Sequence, residues 1–342
     1  MTQWSDKMLL GIDTFSLRSQ GWNAFQMLDY AAGLALQNVH FSERANLESH
    51  DDDYLRELRR YADERGIQIE VGMRSINTYA ETFDASLGSG EQQLADMLVA
   101  AKKLGSPVVR CFVGMQNDRL GAVPFAQIVD ETIRTLKAAA PAAEQAGIAI
   151  AVENHGGVDL LARELRAIVE EVGSDFVGVC LDTGNPLYGG EDAVLATEIL
   201  APYVKTAHVR DTRVWAIEHG AAVQWAPAGQ GDIDLRRIVE ILNATTPDIA
   251  LDLEIISGGG WKEINFRNPD DEFWSYYPGM LASDFIRFEN LLDGGSTGPL
   301  DQYVPDGPFA ELSDEERERY LAQQRHQFEI SVAYCHDHLG LA

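Results

Sequence analysis

A chain of 342 residues, 45% hydrophobic and 24% charged, can bury a large core and is too apolar for disorder, which leaves one barrel or two ordinary domains. Its 27 basic and 54 acidic residues give a formal charge of −27, a field that repels nucleic-acid phosphates and anionic membranes but leaves room for a small substrate in a local cationic pocket. Three cysteines give no disulfide framework, no apolar run approaches the roughly 20 residues that cross a bilayer, and MTQWSDKMLLGIDTF lacks a secretion signal, so a cytoplasmic home is expected.

In chain order, MLLGIDTF (8–15) reads as the first strand and WNAFQMLDYAAGLAL as the first helix. VHFSE (39–43) precedes the helix DDYLRELRRYADERG, which Gly66 stops. IQIEVGM (67–73) leads to GEQQLADMLVAAKKLG, PVVRCFVG (107–114) to FAQIVDETIRTLKAAAPAAEQAG, and IAIAVENH to LLARELRAIVEEVG. VGVCLDTGN is followed by EDAVLATEILAPY, VKTAHVRD by LRRIVEILNAT, and IALDLEI is the eighth strand. Strands separated by helices predict right-handed βαβ units and a parallel sheet; eight of them predict an α/β fold of the (β/α)8 TIM-barrel type over residues 8–256. A doubly wound sheet would carry a Gly-rich phosphate turn after its first strand, and GIDTFSLRSQG is a poor match to one.

From 257 to 312 the chain has no clean period, and SGGGWKEINFRNPDDEFWSYYPG opens an aromatic-rich extension. Following a strand, it is expected to start on the catalytic face as a lid or contact surface. Ser313-Asp314-Glu315-Glu316 is a capping box that starts a final helix, about 313–339. No repeat, linker or second domain is visible, so 1–342 reads as a single domain.

Four strands end in metal-binding residue types: Glu153, Asp182, His208 and Glu254. A parallel barrel gathers its strand ends onto one face, where three carboxylates and an imidazole make a hard, oxygen-rich site. Any one of them could cap a helix or sit satisfied in the core. Four on consecutive strands would repel one another unless protons or a cation intervened, and a divalent ion resolves that conflict. His155 lies two residues beyond Glu153, on the same face of an extended strand, where an imidazole suits a general base; support of a ligand is the plainer reading.

Other residues are open to two readings each. His40 either faces the mouth as a substrate contact or is an ordinary buried histidine, and Arg110 binds substrate oxygens or pairs with the acids. Arg210 is a further substrate candidate, while Asp211 orients a ligand or caps a loop. Gly258-Gly259-Gly260 forms an anion nest or a hinge. The acids Glu263, Asp270, Asp271 and Glu272 around Lys262 and Arg267 favour the hinge and a non-phosphorylated substrate. Trp261, Phe266, Phe273, Trp274, Tyr276 and Tyr277 suit stacking on a flat aglycone or sealing a subunit contact, with plain packing as the alternative; Trp261 is the candidate substrate contact.

The segments VENHGG, CLDTGN, AHVRD and GQGDIDL, in this order over residues 8–256, resemble the xylose-isomerase-like barrel superfamily of sugar phosphate isomerases and epimerases. The resemblance implies that Glu153, Asp182, His208 and Glu254 bind one divalent ion, commonly Mn2+, with Mg2+, Co2+ or Zn2+ as alternatives. It implies chemistry on a keto sugar: proton abstraction beside a carbonyl, an enediolate, and Glu153 and Glu254 able to exchange the proton between faces. VENHGG together with the long aromatic extension is most similar to the larger (alpha) subunit of bacterial C-glycoside deglycosidases. That implies a lyase that expels the aglycone of a 3-keto C-glycoside, with His155 as base and a smaller β subunit as partner. The alternative is a keto-sugar isomerase or 3-epimerase. DNA repair of the endonuclease IV type shares the barrel, but the charge of −27 and the sparse strand-end histidines argue against it.

Overall fold

Eight short strands close into a parallel barrel in the computed structural model, which describes residues 8–268 and 270–341. The first seven residues of the stretch read for a leader lie outside the described residues, as do 269 and 342. The barrel strands are β1 (Leu9–Asp13), β2 (Asn38–Phe41), β3 (Gln68–Ser75), β4 (Val108–Phe112), β5 (Ala149–Glu153), β6 (Val177–Asp182), β7 (Val204–Val209) and, after a hairpin, β10 (Ala250–Leu253). Around the barrel they run β1-β10-β7-β6-β5-β4-β3-β2, which is the TIM-barrel order. Helices cover both the strands and their outer side chains, so the strands read as continuous apolar runs rather than alternating ones.

The helices follow their start signals. Asn23 and Gln26 form a capping box at α1 (Ala24–Gly33). After α2 (Asp52–Asp63), Gly66 takes φ 67°. Ser89 caps α3 (Gly90–Leu104), and α4 (Phe125–Ala146) and α5 (Ala162–Val172) follow β4 and β5. Asp192 caps α6 (Ala193–Leu200) and Asp234 caps α7 (Leu235–Thr245). No helix among the described residues is long and apolar enough to cross a membrane.

Two parts differ from the sequence reading. VKTAHVRD does not run as one strand: β7 stops at Val209, and Asp211 opens an antiparallel hairpin, β8 (Asp211–Ile217) with β9 (Gly220–Ala226). The extension is not irregular throughout. Its strand β11 (Lys262–Ile264) pairs with β9, and α8 (Phe273–Tyr276) and α9 (Ala282–Leu291) precede the final helix α10 (Asp314–Tyr334). Ser313 and Glu316 make the expected capping box on α10.

Most extension aromatics pack instead of presenting their faces. Phe266, Phe273, Phe285 and Phe288 are buried together, with Phe266 and Phe285 edge-to-face at 4.8 Å. Arg163 Nε of α5 donates to Asp284 Oδ2 of α9 at 2.6 Å, tying the extension to the barrel's helical ring.

Candidate metal centre and catalytic pocket

Register brings the four strand-end residues to one height. Asp182 pairs across from His208, Glu153 from Cys180, and Glu254 follows directly after the Leu253–Val209 pair, its N–H bonded to Val209 O at 3.1 Å. Glu153, Asp182, His208 and Glu254 are all buried, and one potential ligand atom from each lies within 4.8 Å of the others. His208 Nδ1 is 3.3 Å from both Glu153 Oε2 and Glu254 Oε2.

Two arginines share the charge. Arg110 pairs with Glu153, while Arg210 donates through Nε to Asp182 Oδ2 at 2.8 Å and also reaches Glu254. Gly184 makes room for that reach, since a Cβ there would stand 2.4 Å from Arg210 Cγ. Burial alone would raise the Glu153 and Glu254 carboxyls, but Arg110 and His208 hold Glu153 well below its usual range, and Arg210 and His208 bring Glu254 down to about 2. Asp182 is pushed up by burial to about 7 against Arg210. Burial opposes a charged His208, yet Cys180, Glu153 and Asp13 lift it well above an ordinary imidazole.

This donor set fits a divalent cation. Three carboxylates and an imidazole are the hard ligands of Mn2+ or Mg2+ sites. Glu153 Oε1 is buried without any hydrogen-bond partner, a condition that buried polar atoms rarely tolerate unless something else meets them.

Above the cluster lies a cavity of about 420 Å³ whose walls include Arg110, His155, Arg210, Trp225 and Glu254. β5 ends at Glu153, so His155 arrives on the following loop instead of by strand alternation. Its ring stacks on Phe112 at 3.8 Å and 14°, and its Nδ1 faces Gly114 O at 3.1 Å. A carbonyl only accepts, so Nδ1 carries the hydrogen and Nε2 is left as the unprotonated nitrogen. Burial lowers the imidazole to about 4, which keeps it neutral.

His40 and Trp261 do not line this cavity. His40 is 0% exposed and lies beneath the cluster, its Nδ1 3.4 Å from Glu70 Oε2 and 3.6 Å from Asp252 Oδ2. Burial would lower it, but those two carboxylates raise it to about 9. Trp261 is 55% exposed and meets Trp215 edge-on at 6.3 Å. Trp225 on β9, whose buried Nε1 has no partner, lines the cavity together with Phe15 and Phe112.

Asp211 proves to be a loop holder. Its carboxylate accepts the N–H groups of Gly229, Gly231 and Ile233 at 3.0, 2.9 and 3.1 Å, which folds GQGDIDL around it. Gly231 is required there, because a Cβ would fall 2.2 Å from Asp211 Oδ1. The Gly258–Gly260 turn is pinned and is no free hinge: Gly259 O accepts from Gln224 and Gln302 at 2.8 and 2.9 Å.

Sequence reasoning missed three further groups. Asp13 ends β1 with Oδ2 3.3 Å from His208 Nε2, and its position at a strand's carboxyl end is the signal that finds it. Asp252 lies on β10, paired across from His208, and one of its carboxylate oxygens is 3.6 Å from His40 Nδ1. Asn154 exchanges hydrogen bonds with the backbone of Asp182, 2.9 Å each way, bracing the ends of β5 and β6.

The extension closes over this region. Tyr277 Oη donates to Val158 O at 2.9 Å and accepts from Gln116 Nε2 at 2.7 Å. Arg119 Nε donates to Tyr276 O at 2.8 Å. The loops after β4 and β5, which carry Gly114 and His155, are thereby fastened to residues 276–277.

A model of the xylose isomerase-like TIM barrel family matches residues 18–272. Over 191 residues the chain is 26% identical to 3-oxo-isoapionate decarboxylase of Pectobacterium atrosepticum, covering 56% of each protein. Over 157 residues it is 31% identical to 2-epi-5-epi-valiolone 7-phosphate 2-epimerase of Actinoplanes sp., covering 45% of this chain and 54% of the other. The matched region is thus little more than half the length of either relative. A solved D-psicose 3-epimerase, crystallised in the presence of D-fructose, shares the fold with a TM-score of 0.63 at 17% identity, covering 97% of this chain and 100% of that one. With three-quarters of its length matched by that model, the chain belongs to the xylose isomerase-like TIM barrel family.

Proposed function

We propose that this chain removes a proton beside the carbonyl of a keto sugar, with Glu153, Asp182, His208 and Glu254 holding one divalent ion, Mn2+ by the family resemblance. Its most specific form is elimination of the aglycone from a 3-keto C-glycoside. The observation that carries the reading is the His155–Gly114 hydrogen bond, which presents a neutral base in the cavity beside the four-residue cluster. A bound divalent ion would supply Lewis acidity, making the C–H next to a carbonyl easier to ionise.

The chain's own groups then do the following. His155 Nε2 takes the proton from the carbon between the ketone and the glycosidic carbon, leaving an enediolate. Arg110 and Arg210 border the same cavity and balance the developing negative charge. As the ketone re-forms, the bond to the aglycone breaks, a carbon–carbon double bond forms in the sugar, and the aglycone carbon takes a proton. No oxidant or reductant is needed. Two of the similar proteins are named as an epimerase and as a decarboxylase of a 3-oxo compound, and both reactions are served by an electron pair developing beside a carbonyl.

A second reading, a keto-sugar isomerase or 3-epimerase, draws on Glu254, which also borders the cavity and could return the proton. Hydrogen exchange followed by NMR separates the two. The Mn2+-loaded protein is placed in D2O with 3-keto glycosides and free ketohexoses, with and without a small β subunit. Deuterium beside the ketone with aglycone release supports the lyase; exchange giving only an epimerised or rearranged sugar supports the second reading. No exchange on any sugar refutes both.

A further inference from the structure

The cavity beside His155 shares a wall with another. Glu43, just after β2, and Arg74, near the end of β3, border both it and a second cavity of about 440 Å³. Each is of a size that small-molecule sites use. The second has a buried apolar floor, with Leu47, Met73 and Met97 at 5%, 3% and 1% exposure. Leu87, in the turn Ala85–Leu87 before α3, stands 42% exposed at its edge. Methionines on such a floor adapt to the shape of a flat or irregular apolar guest.

The partition is weak. Arg74 Nε lies 3.8 Å from Glu43 Oε1 with both side chains partly exposed, and an ion pair of this kind yields at little cost. The chamber's charged groups are Arg44 and Arg74 against Glu43, Asp84 and Asp96. His50 adds no settled positive charge, because burial lowers its pKa. With acids in excess, an anionic guest is disfavoured. Phe15 and Met115 border the first cavity and extend the apolar surface along the same mouth.

We propose that the substrate carries an uncharged aryl group that lies in the chamber of Leu47, Met73, Leu87 and Met97 while its sugar occupies the cavity beside His155. The Arg74–Glu43 pair parts to let the linkage through. This rests on the keto-sugar reading above and narrows it to glycosides, with discrimination placed on the loops after β2 and β3.

The test compares equilibrium binding of methyl and phenyl 3-keto-β-D-glucosides to the Mn2+-loaded protein, and separately follows exchange of the free 3-keto sugar in D2O. The phenyl compound should bind roughly tenfold tighter, from burial of its ring. Leu87→Glu should bring the ratio toward one, and Leu87→Met should restore it; Leu87 is exposed, so neither change threatens folding. A ratio near one in the parent protein, or one unmoved by Leu87→Glu, overturns the chamber even if the free sugar exchanges. Failure of every sugar to exchange, with the phenyl advantage intact and sensitive to Leu87→Glu, sinks the keto-sugar reading and leaves the chamber standing.

Discussion

Asp13 Oδ2 stands 3.3 Å from His208 Nε2, so the imidazole of the four-residue cluster is braced on its far side by a carboxylate from the first strand. With His40 Nδ1, 3.4 Å from the same nitrogen, it holds the ring so that Nδ1 is turned toward Glu153 and Glu254. Partners of this kind are worth a factor of roughly 10–100 in metal affinity. Asp13→Asn should weaken Mn2+ binding by that order, measured by metal titration with intact secondary structure as control. An unchanged dissociation constant would refute the bracing role.

Glu153 and His155 should separate cleanly on substitution. Glu153→Gln removes a ligand and is expected to lose both metal and turnover. His155→Ala should keep its metal while proton exchange slows by roughly 10²–10⁴, the usual worth of a general base. Metal analysis beside the NMR exchange rate checks this, and equal metal loss in both variants would remove His155 from catalysis.

Trp225 lines the cavity, and its buried Nε1 has no partner. Trp225→Phe keeps most of the aromatic face and deletes that donor. It should raise KM by about tenfold, the worth of one hydrogen bond to substrate, with kcat and metal content little changed. A wild-type KM would show that the indole N–H does not meet the sugar.

Glu191 predicts a pH dependence of stability independent of the metal. Its two carboxylate oxygens share one donor, the Ala162 N–H, at 3.1 Å each, and burial raises the group from 4.5 to about 8. The native state therefore holds a proton that the unfolded chain releases near 4.5. The linked stability is full below that value and is lost as pH climbs through about 8. Glu191→Gln should show a shallower fall of Tm between about pH 5 and 9 than the parent, in thermal scans of the metal-free protein. Parallel curves would contradict it.

Phe288 is fully buried among Phe266 and Phe285. Phe288→Ala should cost about 3–5 kcal/mol by leaving a cavity in the extension. Denaturant titration gives the number, and a loss under about 1 kcal/mol would mean that the extension contributes little to global stability.

The barrel is legible in the sequence because each strand is a short branched run answered by an amphipathic helix. Strand ends are less so: IAIAVENH reads as extended through His155, while the chain leaves β5 at Glu153 and turns to stack that histidine on Phe112. The hairpin after His208 is hidden because both its faces are largely apolar, so TRVWAI and GAAVQWA give no clean alternation, and with it went Trp225. The three strand-end acids and the histidine stand out one at a time. Glu70 and Asp252 look like ordinary strand residues until closure of the barrel brings them around His40.

Tyr277 bonds to both Gln116 and Val158, so the segment after the last strand locks two earlier loops in place. For protein engineering, this means the extension cannot be moved between barrels by itself. A transplant would have to carry residues 114–119, 155–160 and 262–277 as a single cassette, or the recipient would gain a key with no lock to turn.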